Sequence, residues 1–274
     1  MVRFSTVLEL DDLLGALALE AAGDGRYTAT NAASATGTVF GGQLLGQSIV
    51  AASHGHDDKR VKTIHTVFAR AARPDAGLDI VVEPIHAGRT FASSTVTIFQ
   101  GGRLCVRSQV LLSADEPDVI RHEEPAPEVG SPEDWAPAVD GSWQVRIVDD
   151  IDVSDPALVG PPDLDVWVRF PGAPEDPVID QALLAYSTDG FLIATAMRPH
   201  PGVGQSQAHV SLATGVISHT LTFHQPAPAR DWLLLSHHSP FAGGGRSYGT
   251  ADVFRPDGAL VASYVQDAMI RPMG

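Results

Sequence analysis

The sequence predicts an α+β protein built from two similar halves, each combining a buried helix with antiparallel strands. One observation behind this is an internal repeat, in which motifs starting at His65-Thr66 return at His219-Thr220, 154 residues later. The other is that each half changes from helical spacing of apolar residues to a period of two. Because the repeat occurs only twice, it excludes a solenoid and indicates two domains packed like a fused dimer, with any site in the seam between them.

The first half reads as two helices followed by a meander. Residues 9–22 carry apolar groups at helical spacing, and a short strand is predicted over 26–30. A second helix opens at Phe40-Gly41-Gly42-Gln43, and its apolar, small residues indicate burial close to other backbone. Residues 63–113 then alternate as antiparallel strands do, with Gly-rich or Pro-containing turns between them.

The second half follows a segment of linker composition. Residues 114–140 are acidic and contain five prolines. Asp176-Pro177 pairs an N-cap residue with proline at the first helical position, which predicts a helix from 178 to at least 187. A last meander is predicted over 208–271. We therefore divide the chain into an N-terminal domain (1–113), a linker (114–140) and a C-terminal domain (141–274).

Composition and charge exclude several functions. The formal net charge of −15 argues against nucleic acid or anionic membrane as a partner. An anionic small ligand would need a local basic patch. No apolar run is long enough to cross a membrane, and the first residues lack the layout of a signal peptide. The single cysteine, Cys105, lies in an apolar strand pattern, so we expect a buried structural thiol and a cytoplasmic protein. The candidate basic residues are Arg70, Arg73, Arg89, Arg103 and Arg246.

Familiar catalytic motifs are absent from the sequence. There is no G-x-S-x-G elbow, no phosphate-binding loop and no paired histidine spacing for a metal. We therefore expect no metal and no cofactor.

Two polar residues stand out because they fall on apolar faces. Asp189 continues a helical stripe with Val178, Ala182 and Ala185, where an unpaired charge would be costly. The alternative is that Gly190 ends the helix and leaves Asp189 in an exposed turn. Gln266 shares one strand face with apolar residues, so its amide needs partners. The alternative there is a structural amide bonded to backbone.

Taken together, the motifs resemble the acyl-CoA thioesterase II family of bacteria and peroxisomes, over essentially the whole chain outside the linker. The resemblance implies a double hotdog fold, in which antiparallel sheets each wrap around a central helix. It is carried by Phe40-Gly41-Gly42-Gln43, Gly46-Gln47, His65-Thr66-Val67-Phe68 with Arg70, Gln181-Ala182, Leu184-Ala185-Tyr186-Ser187-Thr188-Asp189, Arg198-Pro199-His200, Ser218-His219-Thr220, Phe223-His224, Trp232-Leu233-Leu234, Gly258-Ala259-Leu260-Val261-Ala262-Ser263 and Val265-Gln266-Asp267.

The resemblance also implies how a hydrolytic water would be held. In that family an Asp, a Thr or Ser and a Gln hold it jointly, and the Asp and Gln match Asp189 and Gln266. The hydroxyl position matches Val216, which has no hydroxyl. Thr214 and Ser218 lie two residues to either side, and in a regular strand they would share its face and could substitute. Losing one such hydrogen bond costs roughly 1.5–3 kcal/mol, which is about ten- to a hundredfold in rate.

The expected function is therefore hydrolysis of acyl-CoA by a self-associating protein, with Asp189 as general base and Gln266 as second water ligand. Backbone amides at Gly41-Gly42 would stabilise the oxyanion. One alternative, motivated by Val216, is a non-catalytic protein that binds acyl-CoA. A hotdog enoyl-CoA hydratase is disfavoured, because neither central helix carries an Asp and a His five residues apart. The expected substrate contacts are Gly41, Gly42, Gln43, His65, Arg89 and Tyr186.

Overall fold

The computed structural model describes residues 9–34 and 37–273 of the chain. The helices are α1 (Leu10–Leu17), α2 (Gly41–Ser53), α3 (Pro177–Thr188) and α4 (Leu192–Met197). The strands are β1 (Glu20–Gly23), β2 (Arg26–Ala29), β3 (Arg60–Phe68), β4 (Leu78–Ala87), β5 (Phe91–Gln100), β6 (Arg103–Ser113), β7 (Pro137–Val139), β8 (Gln144–Ile147), β9 (Asp163–Arg169), β10 (Leu212–Phe223), β11 (Leu233–Gly243), β12 (Arg246–Phe254) and β13 (Leu260–Pro272).

These strands form one continuous antiparallel sheet in the order β1-β2-β4-β5-β6-β3-β10-β13-β12-β11-β9-β8-β7. Read outward from the β3–β10 pair, the two halves repeat the same strand order, and β7 is an addition at one end. In the first half α2 packs on β3 to β6, and in the second half α4 packs on β9 to β13. The predicted double hotdog is confirmed, with the two sheets joined edge to edge.

The central helices α2 and α3 pack against each other in antiparallel orientation. Glycines on α2 make this close approach possible. A Cβ at Gly42 would lie 2.4 Å from the carbonyl oxygen of Tyr186, and one at Gly46 would lie 3.1 Å from that of Ala182. Residues 42–53 are all buried, so α2 is enclosed by the sheet and by α3.

Local sequence signals place the start of α3 correctly but not its end. The Asp176 side chain accepts hydrogen bonds from the amides of Val178 and Ile179, as an N-cap does, and Pro177 occupies the first turn. The helix stops at Thr188 and does not run on through Asp189, which caps it. The prediction of a continuous helix was therefore wrong. The chain restarts as α4, whose Leu192 packs under Gly249 of β12.

The first predicted helix is also shorter than expected. It ends at Leu17, and β1 and β2 form a hairpin instead. Asp24 and Gly25 adopt positive φ at its turn, and all of β1 is exposed. A helix through this segment would need φ below zero at both positions, so the turn ends the helical pattern.

Part of the predicted linker packs on the second half. Strand β7 pairs with β8, and Ala126, Val129 and Trp135 cover Trp167 and Trp232 on the outer face of the sheet. Cys105 is buried, as predicted. Across the described part of the chain, no helix has both the length and the apolar character to cross a membrane.

Candidate active site

A carboxylate lies where the end of α3 meets the start of α2. Asp189 Oδ2 accepts a hydrogen bond of 3.0 Å from the amide of Gly42, which belongs to the other half of the chain. Its second oxygen, Oδ1, is buried and has no partner among the described residues. Burial raises the pKa of Asp189 to about 7, although the Gly42 hydrogen bond opposes this. Asp189 is therefore neither a helix-stripe residue nor an exposed turn residue, but a buried helix cap.

Gln266 reaches the same helix end from β13. Its side chain is 1% exposed, and Nε2 donates a hydrogen bond of 3.0 Å to the carbonyl oxygen of Thr188. The amide oxygen Oε1 is buried and also lacks a partner in the described part of the chain. The donor thus makes the backbone bond expected of a structural amide, while the acceptor stays free for a ligand.

His219 is a third member of this cluster that the sequence analysis missed. It is fully buried, and its Nε2 lies 3.0 Å from Thr188 Oγ1. It pairs directly with Gln266 across β10 and β13, so the two side chains are neighbours on the inner face. Burial lowers the pKa of His219 to about 3, which keeps the imidazole neutral. Gln266 and His219 therefore both bond to Thr188, the residue adjacent to Asp189.

A second buried histidine supports His219 from behind. The His219 ring stacks on Tyr264, with centroids 5.5 Å apart. Tyr264 Oη lies 2.6 Å from His237 Nε2, and His237 Nδ1 lies 2.7 Å from the carbonyl oxygen of Leu164. Since a carbonyl only accepts, His237 Nδ1 carries the proton and Nε2 accepts from the tyrosine.

The strand that carries His219 has a β-bulge, which corrects one prediction. Val216 pairs with Ala268, whereas Ser218 already pairs with Asp267, so Ile217 is an extra residue in β10. Thr214 and Val216 therefore face inward, while Ser218 faces outward and donates to Asp267 Oδ2 at 2.9 Å. Ser218 cannot replace the missing hydroxyl. Thr214 stays on the correct face, one inward position further along the strand.

The expected substrate contacts divide in the same way. Gly42 lies at the site, but its amide is already bonded to Asp189. Gly41 is the first residue of α2, so its amide has no partner within the helix and remains an oxyanion donor. The Tyr186 ring packs edge-on against Phe40 at 4.9 Å beside the same helix start. A Cβ at Gly41 would lie 3.1 Å from the Phe68 ring, which gives the site an apolar wall.

The other three contacts lie elsewhere. Gln43 accepts from the amide of Ala32 and donates to Asn31 Oδ1, so it anchors the preceding loop. His65 was wrongly placed at the site. Because it pairs with Thr220 and neighbours the Thr66–His219 pair, it points to the opposite, outer face of the sheet. Arg89 is exposed in the turn between β4 and β5, and its contact with substrate stays a prediction.

Comparison with known proteins gives a consistent result. Models of the acyl-CoA thioesterase N-terminal and C-terminal domains match residues 30–113 and 121–270. Mouse acyl-coenzyme A thioesterase 8 is 28% identical over 261 residues, covering 85% of this chain and 80% of that protein. Acyl-CoA thioesterase 2 of Haemophilus influenzae is 29% identical over 259 residues, covering 85% and 87%. The solved structure of an acyl-CoA thioesterase II from Mycobacterium marinum is similar at 27% identity and a TM-score of 0.81, covering 96% of this chain and 98% of that one.

Proposed function

Because the chain belongs to the acyl-CoA thioesterase II family, we propose that it hydrolyses fatty acyl-CoA to a free fatty acid and CoA. The observation that carries this proposal is the arrangement at Thr188. A buried carboxylate oxygen and a buried amide oxygen, both unpartnered among the described residues, meet there at the end of one helix and the start of another. Such acceptors bind a water through its two hydrogens.

The reaction follows from these groups. Asp189 takes a proton from the bound water, while Gln266 Oε1 holds the other hydrogen. The water oxygen attacks the thioester carbonyl carbon, and the resulting oxyanion is placed against the amide of Gly41. When the tetrahedral species collapses, the C–S bond breaks and the CoA sulfur takes the proton back from Asp189. No metal or cofactor enters any of these steps. The acyl chain is expected against the apolar wall of Phe68 and Tyr186.

The raised pKa of Asp189 sets the pH dependence of this reaction. With a pKa of about 7, the carboxyl is mostly protonated at pH 6 and mostly ionised at pH 8. Only the ionised form can act as a base. We therefore expect kcat to rise with pH through about 7 and to level off above it.

The direct test is release of free thiol from acyl-CoAs of short to long chain length. We expect Asp189→Asn to lower kcat by about a hundredfold or more, since a general base contributes that much. The matched control is Asp267→Asn, which changes an exposed aspartate beside Gln266 on the opposite face. It should retain wild-type kcat. Full activity in the Asp189→Asn variant would refute the assignment.

The second candidate function is binding of acyl-CoA without hydrolysis, and Val216 is the observation that favours it. The site there lacks the hydroxyl of the family, while the groove for the ligand would be unchanged. Equilibrium binding of a non-hydrolysable acyl-CoA thioether, measured beside the thiol assay, separates the two. Tight binding with thiol release no faster than in buffer would establish the binding protein.

We also propose that the chain self-associates and acts in the cytoplasm, where the free thiol of Cys105 stays reduced. The outer face of the first half exposes Val67 and Leu111, at 48% and 37%, whereas the second half has its outer face covered. An apolar exposed sheet face favours contact with another copy. Light scattering should give a multiple of 28.9 kDa at micromolar concentration, and the mass of one chain would contradict this.

A further inference from the structure

Three buried hydrogen-bond acceptors surround Thr188, one more than the proposed water needs. Asp189 Oδ1, Gln266 Oε1 and His219 Nδ1 are all without a partner among the described residues. Each belongs to a side chain tied to this point. Gln266 bonds to the Thr188 carbonyl, His219 bonds to the Thr188 hydroxyl, and Asp189 is the next residue. An unsatisfied buried acceptor is costly, so three at one point indicate a shared ligand that donates hydrogens.

The local hydrogen bonds settle which nitrogen of His219 is free. Thr188 Oγ1 lies 2.8 Å from the carbonyl oxygen of Ala185, which only accepts, so the single hydroxyl hydrogen goes there. The contact between Thr188 Oγ1 and His219 Nε2 must then use a hydrogen on the nitrogen. His219 is neutral, so Nδ1 carries no hydrogen and presents a lone pair.

We propose that His219 Nδ1 accepts a hydrogen bond from the hydrolytic water, in place of the hydroxyl that Val216 lacks. This inference rests on the proposed hydrolysis. One water donates two hydrogens, to Gln266 Oε1 and His219 Nδ1, and accepts a third from protonated Asp189. All three acceptors are then satisfied. When Asp189 loses its proton, the water turns one hydrogen toward the carboxylate and is ready for attack.

His219 is well placed for this role because its ring is held on two sides. Its Nε2 is bonded to Thr188, and its face stacks on Tyr264 at an interplanar angle of 8°. The tyrosine is in turn fixed by its hydrogen bond to His237. A ring fixed in this way points its free lone pair in one direction, which is what water positioning requires. The proton of the reaction still goes to Asp189.

Two substitutions separate water binding from a purely structural role. His219→Asn can place an acceptor oxygen near the position of Nδ1 but is too short to reach Thr188. His219→Gln can donate to Thr188 from the position of Nε2 but offers no acceptor at Nδ1. We expect kcat to stay within about tenfold of wild type for Asn and to fall about a hundredfold for Gln, with KM unchanged in both. Equal values, or the opposite order, would overturn the proposal.

A measurement on the wild-type protein keeps the test independent of folding and turnover. Nitrogen-15 NMR of the histidines reports which ring nitrogen carries the proton and whether the other accepts a hydrogen bond. We expect the His219 proton on Nε2 and a hydrogen-bonded Nδ1, with His219→Gln identifying the signals. A proton on Nδ1, or a free lone pair, would overturn the proposal. If wild type releases no thiol from any acyl-CoA, the proposed function fails, and the NMR result still decides what His219 binds.

Discussion

Replacing Asp189 by asparagine should remove a pH-dependent loss of stability. In the unfolded chain the carboxyl ionises near its ordinary pKa of 3.8, but in the folded chain it keeps its proton up to about 7. The folded state is therefore favoured by this group at low pH and loses that advantage as pH rises through 7. The difference between the two pKa values corresponds to about 4 kcal/mol, of which roughly 2.5 kcal/mol is lost between pH 5 and pH 8.

Asparagine is neutral at every pH and can still accept the hydrogen bond from Gly42. The variant should therefore show a flatter dependence of stability on pH. For a chain of this size, 2.5 kcal/mol corresponds to about 4 °C in Tm. Thermal unfolding of wild type and Asp189→Asn at pH 5 and pH 8 measures this directly. The reasoning fails if the Tm difference between the two proteins is the same at both pH values, because Asp189 would then have an ordinary pKa.

Three further changes test the site and its support. Val216→Thr should raise kcat about tenfold with little change in KM, because it restores an inward hydroxyl, while Ser218→Ala should change neither; steady-state assays with no gain for threonine would count against this. Gly42→Ala should lower the free energy of unfolding by about 1–3 kcal/mol, because its Cβ would overlap the backbone of α3, while Gly15→Ala, with open space around it, should raise it by up to about 1 kcal/mol; denaturant titration with both changes equal would argue against the close helix contact. Tyr264→Phe should cost about 1–3 kcal/mol by leaving its histidine partner without a donor, and an unchanged denaturation midpoint would show that the bond contributes nothing.

The parts of the fold that the sequence predicted are those encoded locally. Asp176-Pro177 starts α3 because the cap and the missing N–H act within one turn. Gln266 was assigned to the inner face because β13 is regular around it, and alternation then fixes the side of each residue.

The parts that it did not predict depend on contacts between distant segments. The extra residue Ile217 in β10 reverses the alternation, so Ser218 was placed on the wrong face and His219 was not recognised as a site residue. Asp189 is buried because α2 packs over the end of α3, although a residue at a helix end is usually exposed. Neither effect leaves a periodic signal in the sequence.

The antiparallel pairing of α2 and α3 has a consequence for stoichiometry. A duplicated fold offers two points where one central helix ends beside the start of the other. At the first, Asp189 meets the amide of Gly42. At the second, α2 ends in His54, whose Nδ1 bonds to its own helix at Val50, and α3 begins with Pro177, which has no N–H to donate. One chemical centre is thus left per chain, so titration with a tight-binding inhibitor should saturate at one equivalent, and neither half should be active when expressed alone.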